Sequence, residues 1–293
     1  MDYLTMFRNW LSDPALLPED LAELEGLKDA KEIEDRFYKS LSFGTAGMRG
    51  IIGIGENRMN IYTVRRATCG LARMLQKKSG AGQAGVCISY DSRKMSREFA
   101  AETAKVLCAH GIRTYLYSDL RPVPMLSYAV RSLGCAAGVM ITASHNPAEY
   151  NGYKVYAGHG GQMEPEDSQV VMDEISLVKG LEIPLADLDD AYNCGLLSDV
   201  PAWVDDEYYG RVCSLIKRPE VFDQVRGDFM IVYTPLHGSA AVPVQTVFSR
   251  AGVPGVYIVQ DQQSPDGDFP TVSSPNPEDP EALARLVRVL SDG

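Results

Sequence analysis

Ala136-Ala-Gly-Val-Met-Ile141, followed directly by Thr142-Ala-Ser-His-Asn-Pro147, is the stretch on which the fold turns. A short apolar run closed by a polar, proline-bounded turn reads as a buried strand that delivers a loop. That loop lifts Ser144 and His145 off the strand end, and in open α/β sheets such ends are where chemistry is done. Ten residues after Ser144 comes Lys154, in Asn151-Gly-Tyr-Lys-Val-Tyr156, an alternating run that reads as a strand returning after an Asn-Gly turn. A hydroxyl, an imidazole and an ammonium converging there suit the handling of an anion, most simply phosphate.

Working outward, strand and helix patterns alternate. Val86-Cys-Ile-Ser-Tyr90 reads as a strand, and Ser96 starts a helix with Phe99, Thr103, Val106, Leu107 and His110 inward, ended by Gly111. Ile112 to Tyr117 is a second strand, Pro124 to Leu133 a second helix, and the run before Ser144 the third strand. This order implies a largely parallel sheet covered by helices. Upstream, Asn60 caps a helix that turns Ile61, Val64, Thr68, Leu71 and Leu75 to one side. The acidic first forty residues read as helical, with Leu21, Leu24, Leu27, Ile33, Phe37 and Leu41 on a buried face.

Downstream, residues 181–206 read as acidic and irregular, with a domain boundary near their end. The expected division is 1–205 for the first domain and 206–293 for the second. In the second, Met230 to Thr234 and Val256 to Val259 read as strands, Ser239 to Arg250 and Glu278 to Leu290 as helices. A closing helix that feeds no strand marks this domain as partial.

The 293 residues carry 28 Lys+Arg against 39 Asp+Glu, a net charge of −11. Such an acidic surface argues against nucleic-acid or anionic-membrane partners. No apolar stretch approaches the roughly 20 residues that cross a bilayer, and the start lacks a secretory pattern. Six cysteines without a Cys-x-x-Cys pair read as reduced core thiols of a cytoplasmic protein. Oligomeric state is not legible.

In Gly44-Thr-Ala-Gly-Met-Arg-Gly50, glycines permit close backbone approach to an anion and Arg49 offers a forked donor, although a plain turn explains the glycines as well. Ser144 and His145 are adjacent, which disposes them poorly as nucleophile and base, and no Gly-x-Ser-x-Gly elbow is present. A serine that carries phosphate in a cationic setting from Arg49 and Lys154 fits better. Lys154 also serves proton transfer if its neighbours lower its pKa. In Thr234-Pro-Leu-His-Gly-Ser239, His237 sits at the tip of another polar turn before a helix, a ligand-facing position or simply a capped turn. His110 reads as a core histidine. Asp266-Gly-Asp268 lies in a proline-bounded loop without a third ligand nearby, and is set aside as a metal site.

Gly44 to Gly50, Thr142 to Pro147 with Asn151-Gly-Tyr-Lys154, and Thr234 to Gly238, in this order and spacing, resemble the α-D-phosphohexomutases. Residues Asn57 to Thr68 and the acidic start look most like the phosphoglucomutase and phosphopentomutase branch. The resemblance spans the whole chain, while the chain spans about the first half of the family's length. It implies an α/β fold of three-layer α/β/α domains with mixed, largely parallel sheets, the first complete and the second partial.

The implied activity is an intramolecular phosphotransfer between C1 and C6 of glucose phosphate, an isomerase reaction of carbohydrate metabolism. Ser144 would carry the phosphate and a bisphosphate intermediate, glucose 1,6-bisphosphate, would link the half-reactions. The resemblance gives Lys154 as acid/base and His145 as support for the loop and contact to the sugar, while Arg49, Thr45, Asn146 and His237 bind substrate or phosphate. Mg²⁺ would join the phosphoserine to three aspartates. By the resemblance the family's aspartate loop would lie past Gly293, as would the sugar-selecting and phosphate-gripping domains, so the chain alone is expected to show negligible turnover. A mannose- or pentose-phosphate mutase of the same chemistry, or a non-catalytic phosphosugar-binding remnant, remain as alternatives.

Overall fold

The computed structural model describes residues 2–44, 47–225, 227 and 229–292. Three short helices open the chain: α1 (Tyr3–Leu11), α2 (Pro18–Gly26) and α3 (Ala30–Phe37). They bury Trp10, Leu24 and Phe37 against Tyr62, with Leu21, Leu27 and Ile33 packed around them. Trp10 meets Phe37 and Tyr62 edge-on, at centroid separations of 5.7 and 5.5 Å. Such geometry suits the ring quadrupoles.

The main body is a six-stranded sheet. In chain order its elements are β1 (Met48–Ile51), α4 (Ile61–Gln76), α5 (Ala81–Ala84), β2 (Val86–Tyr90), α6 (Ser96–Ala109), β3 (Thr114–Leu116) and α7 (Val123–Ser132). Then come β4 (Ala137–Ile141), β5 (Tyr150–Ala157), α8 (Pro165–Ser176), α9 (Leu188–Asn193) and β6 (Leu197–Asp199). The strands lie in the order β1-β5-β4-β2-β3-β6. β2 runs parallel to β3 and β4, and β3 parallel to β6, while β5 is antiparallel to both its neighbours. The sheet is therefore mixed and largely parallel.

Alternation along each strand builds two cores. Val86, Ile88, Val139, Ile141, Tyr153 and Val155 face α4, α6 and α8, joining Val64, Leu71, Phe99, Leu107 and Val171. Cys87, Met140 and Tyr156 face the other way, onto Leu126, Ala129 and Val130 of α7 and Val204. A period of two that buries both faces is the mark of a three-layer sandwich. Each fully buried Leu, Val or Phe contributes about 1.5–3 kcal/mol. Asn60 caps α4 as its sequence suggests: its side chain accepts from Thr63 N at 2.9 Å, and Thr63 Oγ1 accepts from Asn60 N at 3.1 Å.

Two readings of the sequence change here. Asn151 and Gly152 lie inside β5, which begins at Tyr150, so the reversal falls earlier, in residues 142–149. The Asn-Gly pair imitates a turn because Gly152 is needed for another reason: a Cβ there would stand 2.7 Å from Thr142 O and 2.9 Å from Met48 O, between two neighbouring strands. Residues 181–206 also hold more order than their acidic composition suggests. α9 and β6 arise within them, and Leu197 is buried against the main core.

α10 (Ala202–Cys213) follows, its Val204 in the first unit's core, and then α11 (Val221–Gln224), β7 (Ile231–Tyr233), α12 (Ala241–Arg250), β8 (Val256–Ile258) and α13 (Pro280–Asp292) make up a second unit. β7 and β8 form a two-stranded parallel sheet. Asp205 on α10 accepts from Arg121 Nε at 2.8 Å and Tyr117 OH at 3.2 Å. Among the described residues no helix is long and apolar enough to cross a membrane.

Candidate phosphate-handling site

β2 has parallel neighbours on both sides, reached by crossovers through α6 in one direction and α7 in the other. Such a reversal leaves a crevice beyond the carboxyl ends of the two diverging strands, here β2 and β4. Asp91 leaves β2 at that point and Thr142 leaves β4. Thr142 Oγ1 donates to Asp91 Oδ2 at 2.5 Å and accepts from Ser144 N at 2.9 Å. Asp91 Oδ1 accepts from Arg93 N at 3.0 Å and from Ser96 Oγ at 2.7 Å. Burial pushes the Asp91 carboxyl up, while the Thr142 and Ser96 hydroxyls pull it down.

Ser144 is exposed, and its φ of 59° is left-handed. For a residue with a Cβ that conformation costs about 1–2 kcal/mol, so the surroundings must hold it. Arg93 supplies most of the hold. Its Nη2 donates to Ser144 O at 2.8 Å and Asn146 O at 2.5 Å, and its Nη1 to Pro147 O at 2.9 Å and Tyr150 O at 3.0 Å. The buried Asn151 ties the base of the loop to the other side, donating to Lys94 O and Ser96 Oγ, both at 2.9 Å.

Positive charge gathers around the serine. Arg49, on β1, is paired in register with Gly152, and its Nη1 donates to Asn146 Oδ1 at 2.7 Å. Lys154 is paired across the sheet with Met140. Burial drives the Lys154 ammonium below its ordinary pKa, and Arg49 and then Arg93 add to this, with Asp91 opposing. A lysine so placed sheds its proton more readily than a surface lysine. His145 is exposed, its Nδ1 lies 3.4 Å from Ser144 Oγ, and its carbonyl accepts from Ser274 Oγ of the second unit at 3.0 Å.

The structure thus brings together Ser144, His145, Asn146, Arg49 and Lys154. Thr45 lies outside the described residues. His237, at the tip of its turn, is 3% exposed, with Nδ1 3.0 Å from Ser264 O and Nε2 2.9 Å from Thr271 Oγ1. Both ring nitrogens are engaged, so the imidazole ties its turn to residues 264–271. That loop in turn reaches the first unit. Asp268 pairs with Lys94, Gly267 sits against the backbone of residues 92–94, and the Arg93 guanidinium lies 5.1 Å from the Phe269 ring centroid.

Asp91 and Arg93 were missed in the sequence, although Asp91-Ser-Arg93 follows an apolar strand just as Ser144 does. The same rule that singled out Ser144 finds them. Among the described residues no group of three or more His, Cys, Asp or Glu is placed to hold a metal ion. For the Mg²⁺ of the resemblance, the crevice supplies the Ser144 hydroxyl, while Asp266 Oδ1 accepts from Asp268 N and Asp268 faces Lys94. The residues present do not make that site.

A serine held at a sheet's switch point amid cationic side chains is an arrangement that suits a phosphate group, on an α/β fold. The chain belongs to the phosphoglucomutase/phosphomannomutase family: residues 40–179 match alpha/beta/alpha domain I and residues 207–292 match alpha/beta/alpha domain II. A phosphoglucomutase of Staphylococcus epidermidis (strain RP62A) is 35% identical over 290 residues, covering 98% of this chain and 51% of its own length. One from Staphylococcus aureus (strain bovine RF122) is 36% identical over 263 residues, 89% of this chain and 46% of its own. Among solved structures, a Thermus thermophilus protein assigned as a phosphomannomutase superposes with a TM-score of 0.71 at 24% identity, covering 85% of this chain and 52% of that one. A phosphoglucomutase/phosphomannomutase family protein from Burkholderia thailandensis gives 0.65 at 20% identity, covering 87% and 51%. The chain spans about half the length of the curated relatives it matches.

Proposed function

We propose that Ser144 is the phosphate carrier of a glucose-phosphate mutase, and that this chain holds the carrier half of the enzyme. The observation that bears the reading is the left-handed Ser144, held at the sheet's switch point with Arg49 and Lys154 beside it. The two Staphylococcus relatives are phosphoglucomutases by name, which favours glucose phosphate over mannose or pentose phosphate.

In the proposed step Ser144 Oγ attacks a phosphorus of glucose 1,6-bisphosphate. The Oγ–P bond forms as the sugar O–P bond breaks. Neutral Lys154 takes the serine proton and returns it to the departing sugar oxygen, leaving a hexose monophosphate. Run backward onto the other hydroxyl, the same step moves phosphate between C1 and C6. Arg49 neutralises the phosphoryl oxygens, since phosphoryl transfer depends chiefly on positioning and electrostatics. Asn146 holds Arg49, and His145 contacts the sugar at the loop's outer face.

Intact mass tests it. Incubated with glucose 1,6-bisphosphate, the chain is expected to gain one phosphoryl group, and its Ser144→Ala variant none. No gain by the unaltered chain, or an equal gain by the variant, sinks the reading. Steady conversion of glucose 1-phosphate by the isolated chain is expected to be negligible.

A further inference from the structure

Arg93 stands among the cations nearest Ser144, and on charge alone it would be taken for a phosphate ligand. Its geometry says otherwise. The side chain is wholly inaccessible to solvent, both Nη atoms are spent on carbonyls of residues 144–150, and Nε lies 3.6 Å from Asp91 Oδ2. The guanidinium lies against Phe269 of the second unit. No Nη donor is left over for a phosphoryl oxygen.

We infer that Arg93 is a positioning residue: with Asp91 and Thr142 it fixes the backbone of Ser144 and so aims the serine hydroxyl, while binding no phosphate itself. The inference rests on Ser144 being the phosphate carrier. Its physical basis is separable, because the frame can be seen without any phosphate. Asp91 receives Arg93 N on one oxygen and Thr142 Oγ1 on the other, and those two residues hold Ser144 by its carbonyl and its amide. The serine peptide is therefore gripped at both ends from the one Asp91 carboxylate. Arginine is required because its planar fork reaches four carbonyls at once, which an ammonium does not. Phe269 extends the frame into the second unit, so the seating of residues 264–271 bears on the aim of Ser144.

Arg93→Lys and Arg93→Met separate geometry from charge. A positioning role makes the two alike: each slows single-turnover phosphoryl uptake from glucose 1,6-bisphosphate by about a hundredfold, the scale of an ångström's misplacement. The half-saturating bisphosphate concentration stays unchanged, because no phosphate contact is lost. Amide hydrogen exchange quickens in residues 144–150 and not in β2 or β4. Lysine restoring the rate, a raised half-saturation point, or unchanged exchange at residues 144–150 overturns the inference. If the unaltered chain takes up no phosphoryl group, the proposed function fails and the exchange measurement alone decides Arg93. Should neither Arg93 variant fold, Thr142→Val cuts the same frame at its other end. It is expected to slow uptake and quicken exchange likewise, and a rate like that of the unaltered chain overturns the inference.

Discussion

Arg49 and Asn146 are 97 residues apart in sequence and joined by a 2.7 Å hydrogen bond from Nη1 to Oδ1, which ties β1 to the loop bearing Ser144. The bond gives Arg49 a fixed approach to that loop, and its forked donor set suits a phosphoryl group. Replacing Arg49 by Lys keeps the charge and discards the fork. We expect phosphoryl uptake from glucose 1,6-bisphosphate to slow by about 10- to 100-fold, a loss of about 1.4–2.8 kcal/mol in the barrier. The melting temperature should stay put, since the side chain is exposed. Time-resolved intact mass measures the rate, and a variant as fast as the parent removes Arg49 from the site.

Lys154 gives the pH dependence. Burial, reinforced by Arg49 and Arg93 and opposed by Asp91, holds its folded pKa below 10.5. As the proton acceptor it works in the neutral form, so uptake should rise with pH and level off at an inflection below 10.5. Lys154→Arg stays protonated throughout and should abolish the rise. The stability effect has the same sign. Between the folded and unfolded pKa values the unfolded chain binds more protons, so stability climbs with pH through that window. Rate profiles of both proteins from pH 6 to 10 check the first claim, and denaturant midpoints across the upper part of that range check the second.

How much of this was open to view in the chain can be judged residue by residue. Strand and helix order around Ser144 was legible because cores on both faces make β2 and β4 near-continuous apolar runs, while α4 and α6 carry a period near 3.6. Asn60 announced its cap because both halves of the capping box are local. Arg93 was not legible as a clamp: its acceptors at Ser144, Asn146, Pro147 and Tyr150 lie 51–57 residues away, and only the sheet's strand order brings them near. The partners of His237 were hidden for the same reason. Its local turn resembles a ligand-facing one, but its partners Ser264 and Thr271 are 27 and 34 residues further on.

Acid sensitivity should centre on Glu56. It is buried and accepts from Trp10 Nε1 at 3.0 Å, Ser40 Oγ at 2.6 Å and Arg66 Nη1 at 2.5 Å. Burial alone would raise its pKa, but the charge and hydrogen bond of Arg66, with Ser40 and Trp10, carry it below the ordinary value of 4.5. A depressed carboxyl pKa stabilises the fold above the unfolded value, and that stability is lost as pH falls through the folded value. Glu56→Gln leaves Arg66 with an uncompensated charge and should cost about 3–5 kcal/mol at neutral pH. It should also flatten the fall in stability below pH 4.5. Urea midpoints from pH 3 to 7 decide it, and parallel curves for both proteins would show that Glu56 is not the acid-sensitive group.

Gly267 tests whether the second unit braces the serine loop by shape or by charge. A Cβ on Gly267 would stand 2.6 Å from Lys94 N, 2.8 Å from Ser92 O and 3.0 Å from Arg93 C, all of them backbone atoms. None can move aside by a rotamer change, so Gly267→Ala must push residues 264–271 off the Asp91 to Lys94 segment. Such overpacking costs about 1–3 kcal/mol. The Lys94–Asp268 pair beside it is 54% and 65% exposed, and a pair so wet contributes little. Gly267→Ala is therefore expected to quicken amide exchange in both residues 92–94 and 264–271, and to slow phosphoryl uptake at Ser144. Lys94→Ala should leave exchange and uptake near those of the parent. The reverse ranking would mean that the two units are held together here by the surface ion pair, and that Phe269 merely rests on Arg93.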